Sequence, residues 1–123
     1  MATEREEQIW HLNEVLQTWR GAHAQLWSYT AALATLEIRL FWDGRIERIH
    51  LVCSPCVSIA APVYWERCDL TVGDDPCDGS IFLVRDEGAS VRILCRQLYT
   101  FQNVEPLFAP LPGGPQVTRA EQL

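Results

Sequence analysis

The chain has 123 residues, 48% of them apolar and 21% charged, with a net charge of −6. This is the balance of a single globular domain that can bury a core without disulfides or metal. All ten cations are arginines and lysine is absent; the acidic balance argues against general binding to nucleic acid or to anionic membrane surfaces, both of which depend on surplus positive charge.

The polar, acidic start MATEREEQ is the reverse of a secretory leader, and the apolar runs are far shorter than a bilayer span, so a cytoplasmic protein is expected. Thr3 and Glu6 fit a capping box, and Ile9, Leu12, Leu16 and Trp19 recur at helical spacing behind them. They predict an amphipathic helix over about residues 4–20, with Gly21 as its stop and Trp10 and Trp19 in the core. Residues 22–34 suit either a helix or a strand, since Leu26, Thr30 and Leu33 share a helical face while Trp27, Tyr29 and Thr30 favour a strand. The reading taken is a short second helix or helical turn.

From Leu36 the period changes to two, and Asp43-Gly44 is a strong hairpin signal. A two-residue turn there pairs Trp42 with Arg45. It sets Ile38 opposite Ile49, Leu36 opposite Leu51, Arg39 opposite Arg48 and Glu37 opposite His50. Tyr64 to Val72 reads as a third strand with Cys68, Leu70 and Val72 inward, ended by the turn Gly73 to Gly79. The segments 80–85 and 89–98 form a second hairpin across Asp86-Glu87-Gly88, which pairs Leu83 with Val91 and Ile81 with Ile93. The tail after Phe108 is rich in proline and glycine and lacks periodicity, so 1–108 is read as one domain and 109–123 as a disordered tail. A helix followed by strands points to an α+β fold: an N-terminal helix packed on an antiparallel sheet of about four or five strands.

The cysteines are Cys53, Cys56, Cys68, Cys77 and Cys95, expected as reduced thiols in a cytoplasmic chain. Cys53-Ser54-Pro55-Cys56 resembles the thioredoxin-family motif in its preceding strand and in the proline between the cysteines, over those four residues. The resemblance implies a redox pair at a helix N-terminus, whereas the following VSIAAPVYW is a poor helix former. Zinc is a second use of Cys53 and Cys56, with Cys68 and one of Cys77, Cys95 or His50 completing the ligands; a ribbon would show a second close pair, which the chain lacks. The plainer reading makes Cys53, Cys68 and Cys95 small core residues in phase with their strands.

Arg39 and Arg48 on one solvent face, joined by Arg67 and by Trp65, form the candidate partner-binding site. Arg92 falls on that face under the second hairpin's register. The expected function is a protein-interaction module, an accessory or assembly subunit, that binds another protein or a second copy of itself through the outer sheet face. No cofactor is expected on that reading. A pocket between helix and sheet lined by Trp19, Trp27 and Tyr29 is a further alternative, suited to a small molecule. No nucleophile triad, phosphate loop or paired-carboxylate motif is present.

Overall fold

The computed structural model describes residues 2–104; the expectations for the end of the domain and for the tail at 109–123 lie outside the described residues. The capping box forms: the Thr3 hydroxyl accepts from the Glu6 amide at 3.0 Å, and the Glu6 carboxylate accepts from the Thr3 amide at 2.8 Å. Such a cap stabilises a helix by about 1 kcal/mol. Helix α1 runs Glu4–Thr18 and buries Leu12 and Leu16, with Trp19 buried at its C-terminal cap. Trp10 is 57% exposed, a correction to its expected place in the core, because it lies off the Leu12–Leu16 stripe.

Among the described residues nine strands follow: β1 (His23–Thr30), β2 (Thr35–Phe41), β3 (Glu47–Cys53), β4 (Cys56–Ala60), β5 (Tyr64–Trp65), β6 (Thr71–Asp75), β7 (Asp78–Asp86), β8 (Val91–Cys95) and β9 (Leu98–Val104). They form two antiparallel sheets, ordered β5-β1-β2-β3-β9 and β4-β8-β7-β6. The α+β class stands, but there are two sheets where one of four or five strands was expected. The sheets share a bent ribbon, since β3 pairs with β9 and, past the corner, β4 pairs with β8. Ser54 to Gln97 and Arg96 to Pro55 carry backbone hydrogen bonds through that corner, each at 3.0 Å.

Residues 22–34 are not a helix. β1 takes up most of the segment, and a 3-10 turn at Ala31–Leu33 ends in Ala34 at φ 49°. Pairing with β2 on one side and β5 on the other satisfies the β1 backbone and overrides local preference. The first hairpin pairs Phe41 with Arg48, Arg39 with His50 and Ile38 with Leu51, two residues out of the expected register. Trp42 is the cause: it leaves the ladder to stack on Trp19 at 6.4 Å, and the turn closes through Arg45 N–H to Trp42 O with Gly44 at φ 77°. A shift of two keeps every side chain on its expected face.

The second hairpin pairs Asp86 with Val91, Val84 with Ile93 and Phe82 with Cys95, around a 3-10 turn at Glu87–Ala89. The left-handed position is Ser90, at φ 59°, not Gly88. Phe82 and Val84, rather than Ile81 and Leu83, therefore face the shared core with Val91, Ile93 and Cys95. The expected third strand is split into β5 and β6 around a crossover in which Arg67 takes φ 52°. Cys68, Leu70 and Val72 are buried as expected.

One core joins α1 to the inner faces of both sheets, through Leu12, Leu16 and Trp19, Leu36, Ile38 and Leu40, Ile49 and Leu51, and Val84 and Ile93. The Asn13 amide docks the helix on β6, donating to Val72 O and accepting from Val72 N, each at 2.8 Å. Among the described residues no helix is long and apolar enough to cross a membrane.

Candidate functional site

Antiparallel pairing arranges the outer face of the five-stranded sheet in rows. One row runs Tyr64, Gln25, Arg39, His50, Phe101 across all its strands. The next runs His23, Phe41, Arg48, Asn103. Trp27 sits in a bulge between Leu26 and Ser28 and projects over the first row.

Aromatic rings position the cations. The Arg39 guanidinium lies 3.9 Å from the Trp27 ring centre and 4.9 Å from that of Phe41, and it donates to Gln25 Oε1 at 2.9 Å. The Arg48 guanidinium lies 5.3 Å from the same Phe41 ring and donates to Glu47 O at 3.0 Å. Each such contact is worth about 0.5–1 kcal/mol at an exposed site, and together they hold two otherwise floppy side chains in place. His50 is buried beneath this layer: its ring stacks on Phe101 at 4.8 Å and 8°, meets the Trp27 ring edge-on, and turns Nδ1 to the Glu37 carboxylate. Its Nε2 has no hydrogen-bond partner among the described residues.

At the β5 end of the face, the Tyr64 hydroxyl meets His23 Nδ1 at 2.7 Å, and His23 Nε2 meets the Asp43 carboxylate at 2.9 Å. Partial desolvation and the charges of Glu66 and Asp43 push the Tyr64 phenol up from its ordinary range. A phenol pushed up in this way keeps its proton at neutral pH, and the donor and acceptor roles of the two His23 ring nitrogens follow the imidazole tautomer. A protonated phenol is no nucleophile, and this chain of bonds tethers the two-residue strand β5 to the sheet. Sequence reasoning missed it, because the three residues lie on separate elements and only the β1–β5 pairing brings them together.

Arg39 and Arg48 both lie on the outer face, as expected, but they meet over Phe41 as diagonal neighbours instead of facing each other. Directly opposed arginines do occur, at Arg85 and Arg92 in the other sheet, each beside its own carboxylate: Glu87 at 3.9 Å and Asp75 at 3.8 Å. Trp65 is only 7% exposed and cannot belong to the outer face; its indole donates to the buried Asp86 at 3.0 Å. Arg67 is exposed in the crossover and lines a cleft with Asp69, Arg85 and Glu87. Residues not foreseen take part in the face, above all Trp27 and Phe101, 45% and 42% exposed, with Tyr64 and Tyr99 at its margins.

The cysteines are all free. Cys53 and Cys56 meet at the corner of the bent ribbon, and Cys95, opposite Cys56 in the β4–β8 ladder, joins them. The Cys56 and Cys95 thiols, followed by burial, push the proton affinity of Cys53 far up. The Cys56 sulfur is lowered, first by the Cys53 thiol and also by the Leu36 amide, with partial burial working against them. Cys68 stands apart, its thiol donating to Trp19 O at 3.4 Å, and Cys77 is exposed in the β6–β7 turn. The zinc set expected from Cys53, Cys56, Cys68 and a fourth ligand is not assembled. Among the described residues no group of three or more His, Cys, Asp or Glu side chains is arranged to hold a metal ion.

A cleft of about 660 Å³ lies at the end of α1, lined by Thr18, Trp19, Trp42, Arg45, Ile46 and Gln102. Trp27 and Tyr29, expected beside Trp19 in a helix–sheet pocket, do not line it; Trp27 stands on the far side of the sheet. The chain matches no protein-family model, no characterised protein and no solved structure.

Proposed function

We propose that this chain is a protein-interaction module that docks a partner protein on the outer face of its five-stranded sheet. The observation that supports it is the set of exposed aromatics Trp27, Tyr64, Tyr99 and Phe101 interleaved with Arg39 and Arg48 on one hydrogen-bonded sheet. Aromatic and arginine side chains dominate the energetics of protein interfaces, because they bury much area at little entropic cost. Guanidinium groups already held over rings lose little freedom on binding, so a surface that presents carboxylates beside apolar side chains is the fitting partner. The setting on this reading is the cytoplasm, where structural disulfides are rare, in keeping with five free cysteines.

The test compares affinity capture by the wild type, by Trp27→Ala with Phe101→Ala, and by Arg85→Ala in the other sheet as control. Loss of a captured protein by about tenfold or more in the double variant alone supports the reading. Equal recovery by all three sinks it. Sedimentation velocity on the same proteins shows whether the partner is a second copy, since a dimer dissociated by the face variant alone would be that partner.

A further inference from the structure

The thiol cluster at the corner of the bent ribbon is independent of the docking face. Cys56 opens β4 and is half-buried, whereas Cys53 and Cys95 have no exposed surface. Cys56 lies across the ladder from Cys95, and its proton affinity is lowered first by the neighbouring Cys53 thiol. When protonated it donates to Cys53 O at 3.4 Å. A reagent from solvent can therefore reach the cluster only through Cys56.

We propose that Cys56 is a thiol–disulfide exchange site for small disulfides of the glutathione class, with Cys53 as its resolving thiol. The Cys56 thiolate, its proton lost to solvent, attacks one sulfur of the disulfide. An S–S bond forms to Cys56, the reagent's own S–S bond breaks, and the first glutathione leaves as thiolate. The Cys53 sulfur then attacks Cys56, the mixed disulfide breaks, and the second glutathione leaves with the proton given up by Cys53. Two protein thiols are oxidised by two electrons, and one glutathione disulfide is reduced to two glutathiones. The neighbouring thiols of Cys56 and Cys95, and then burial, hold the proton on Cys53 until that step. The Cys56 sulfur already lies 3.4 Å from the Cys53 backbone oxygen, so the bond of about 2 Å forms between near neighbours.

The experiment incubates the full-length protein with glutathione disulfide, blocks remaining thiols, and maps tryptic fragments by mass. Cleavage after arginine puts Cys53 and Cys56 together in fragment 49–67, Cys68 and Cys77 in 68–85, and Cys95 in 93–96, so each bond has its own signature. The expected product is fragment 49–67 lighter by two hydrogens, and Cys53→Ser should trap glutathione on Cys56. A crosslink from 49–67 to another fragment, or glutathione on Cys77 with 49–67 fully reduced, overturns the proposal. The wild-type digest decides the matter even if Cys53→Ser, a core change, does not fold. Alkylation of the native protein gives a second reading: Cys56 should react alongside the exposed Cys77, and a native Cys56 that stays unlabelled when Cys77 is fully labelled also overturns it.

Discussion

Asn13 binds Val72 through both atoms of its amide, donating to the carbonyl and accepting from the N–H at 2.8 Å each. The side chain thus does for β6, the last strand of its sheet, what a neighbouring strand would do, and it joins the helix to the sheet edge. Sheet edges left open recruit other chains, so this one contact serves both stability and solubility.

Asn13→Ala should cost about 1–3 kcal/mol, because a part-buried donor and acceptor both lose their partner. Urea denaturation followed by tryptophan fluorescence measures it. A midpoint unchanged from the wild type would show that water replaces the amide without loss. Asn13→Asp keeps the acceptor and loses the donor, and it should fall between the two.

Asp86 carries a second such joint. Its carboxylate is buried and accepts from the Trp65 indole at 3.0 Å and from the Asp69 amide at 2.7 Å, which fastens the crossover to the end of β7. Asp86→Ala orphans both donors and should destabilise the fold by about 2–4 kcal/mol. Trp65→Phe removes one donor and should cost less. If Trp65→Phe proves the more harmful of the two, the tryptophan acts through packing and not through this bond.

What the sequence made legible follows from where local pattern and tertiary demand agree. Thr3 and Glu6 announce the start of the helix, and the alternation through Leu36, Ile38 and Leu40 is kept in the burial of β2. β1 was misread because its exposed half, Trp27 to Thr30, carries no alternation, and pairing on both sides decides its state. β4 showed no alternation either, since it lies at a sheet edge with Val57 to Ala60 exposed. The arginine face was found with the right parity and the wrong partners, as Trp42 was needed for Trp19 and lengthened the turn. Trp65 was misplaced because a buried aspartate twenty-one positions away in sequence sets its orientation, and no local periodicity reports such a contact.

Cys68 predicts a response to alkali. Burial, then the charge of Asp86, raises its thiol from 9.0 to about 11. Between those values the unfolded chain has released this proton and the folded one has kept it. Stability therefore is full below pH 9, falls as pH rises, and has lost this contribution above about pH 11. Cys53, raised as well, bends the curve the same way. Cys68→Ala should flatten the fall in thermal midpoint over that window, although it lowers the midpoint at neutral pH by creating a small cavity. An unchanged slope would assign the alkaline loss to other groups.

Gly21 tests the join between helix and hairpin. It follows the capping Trp19 at φ +93°, and a methyl group added there would meet the Trp42 ring at 3.4 Å. Its amide donates to Cys68 O at 2.8 Å, so the backbone cannot relax without losing that bond. Gly21→Ala should therefore destabilise by about 1 kcal/mol from backbone strain, and by more if the tryptophan stack must shift. Near-ultraviolet circular dichroism separates the two costs. A destabilised variant with the wild-type aromatic spectrum would carry strain alone, whereas a weakened band would show that Trp42 has moved off Trp19. In the second case the cleft between Trp19 and Gln102 changes shape too, while the outer face, whose rings pack on the far side of the sheet, should keep its arrangement.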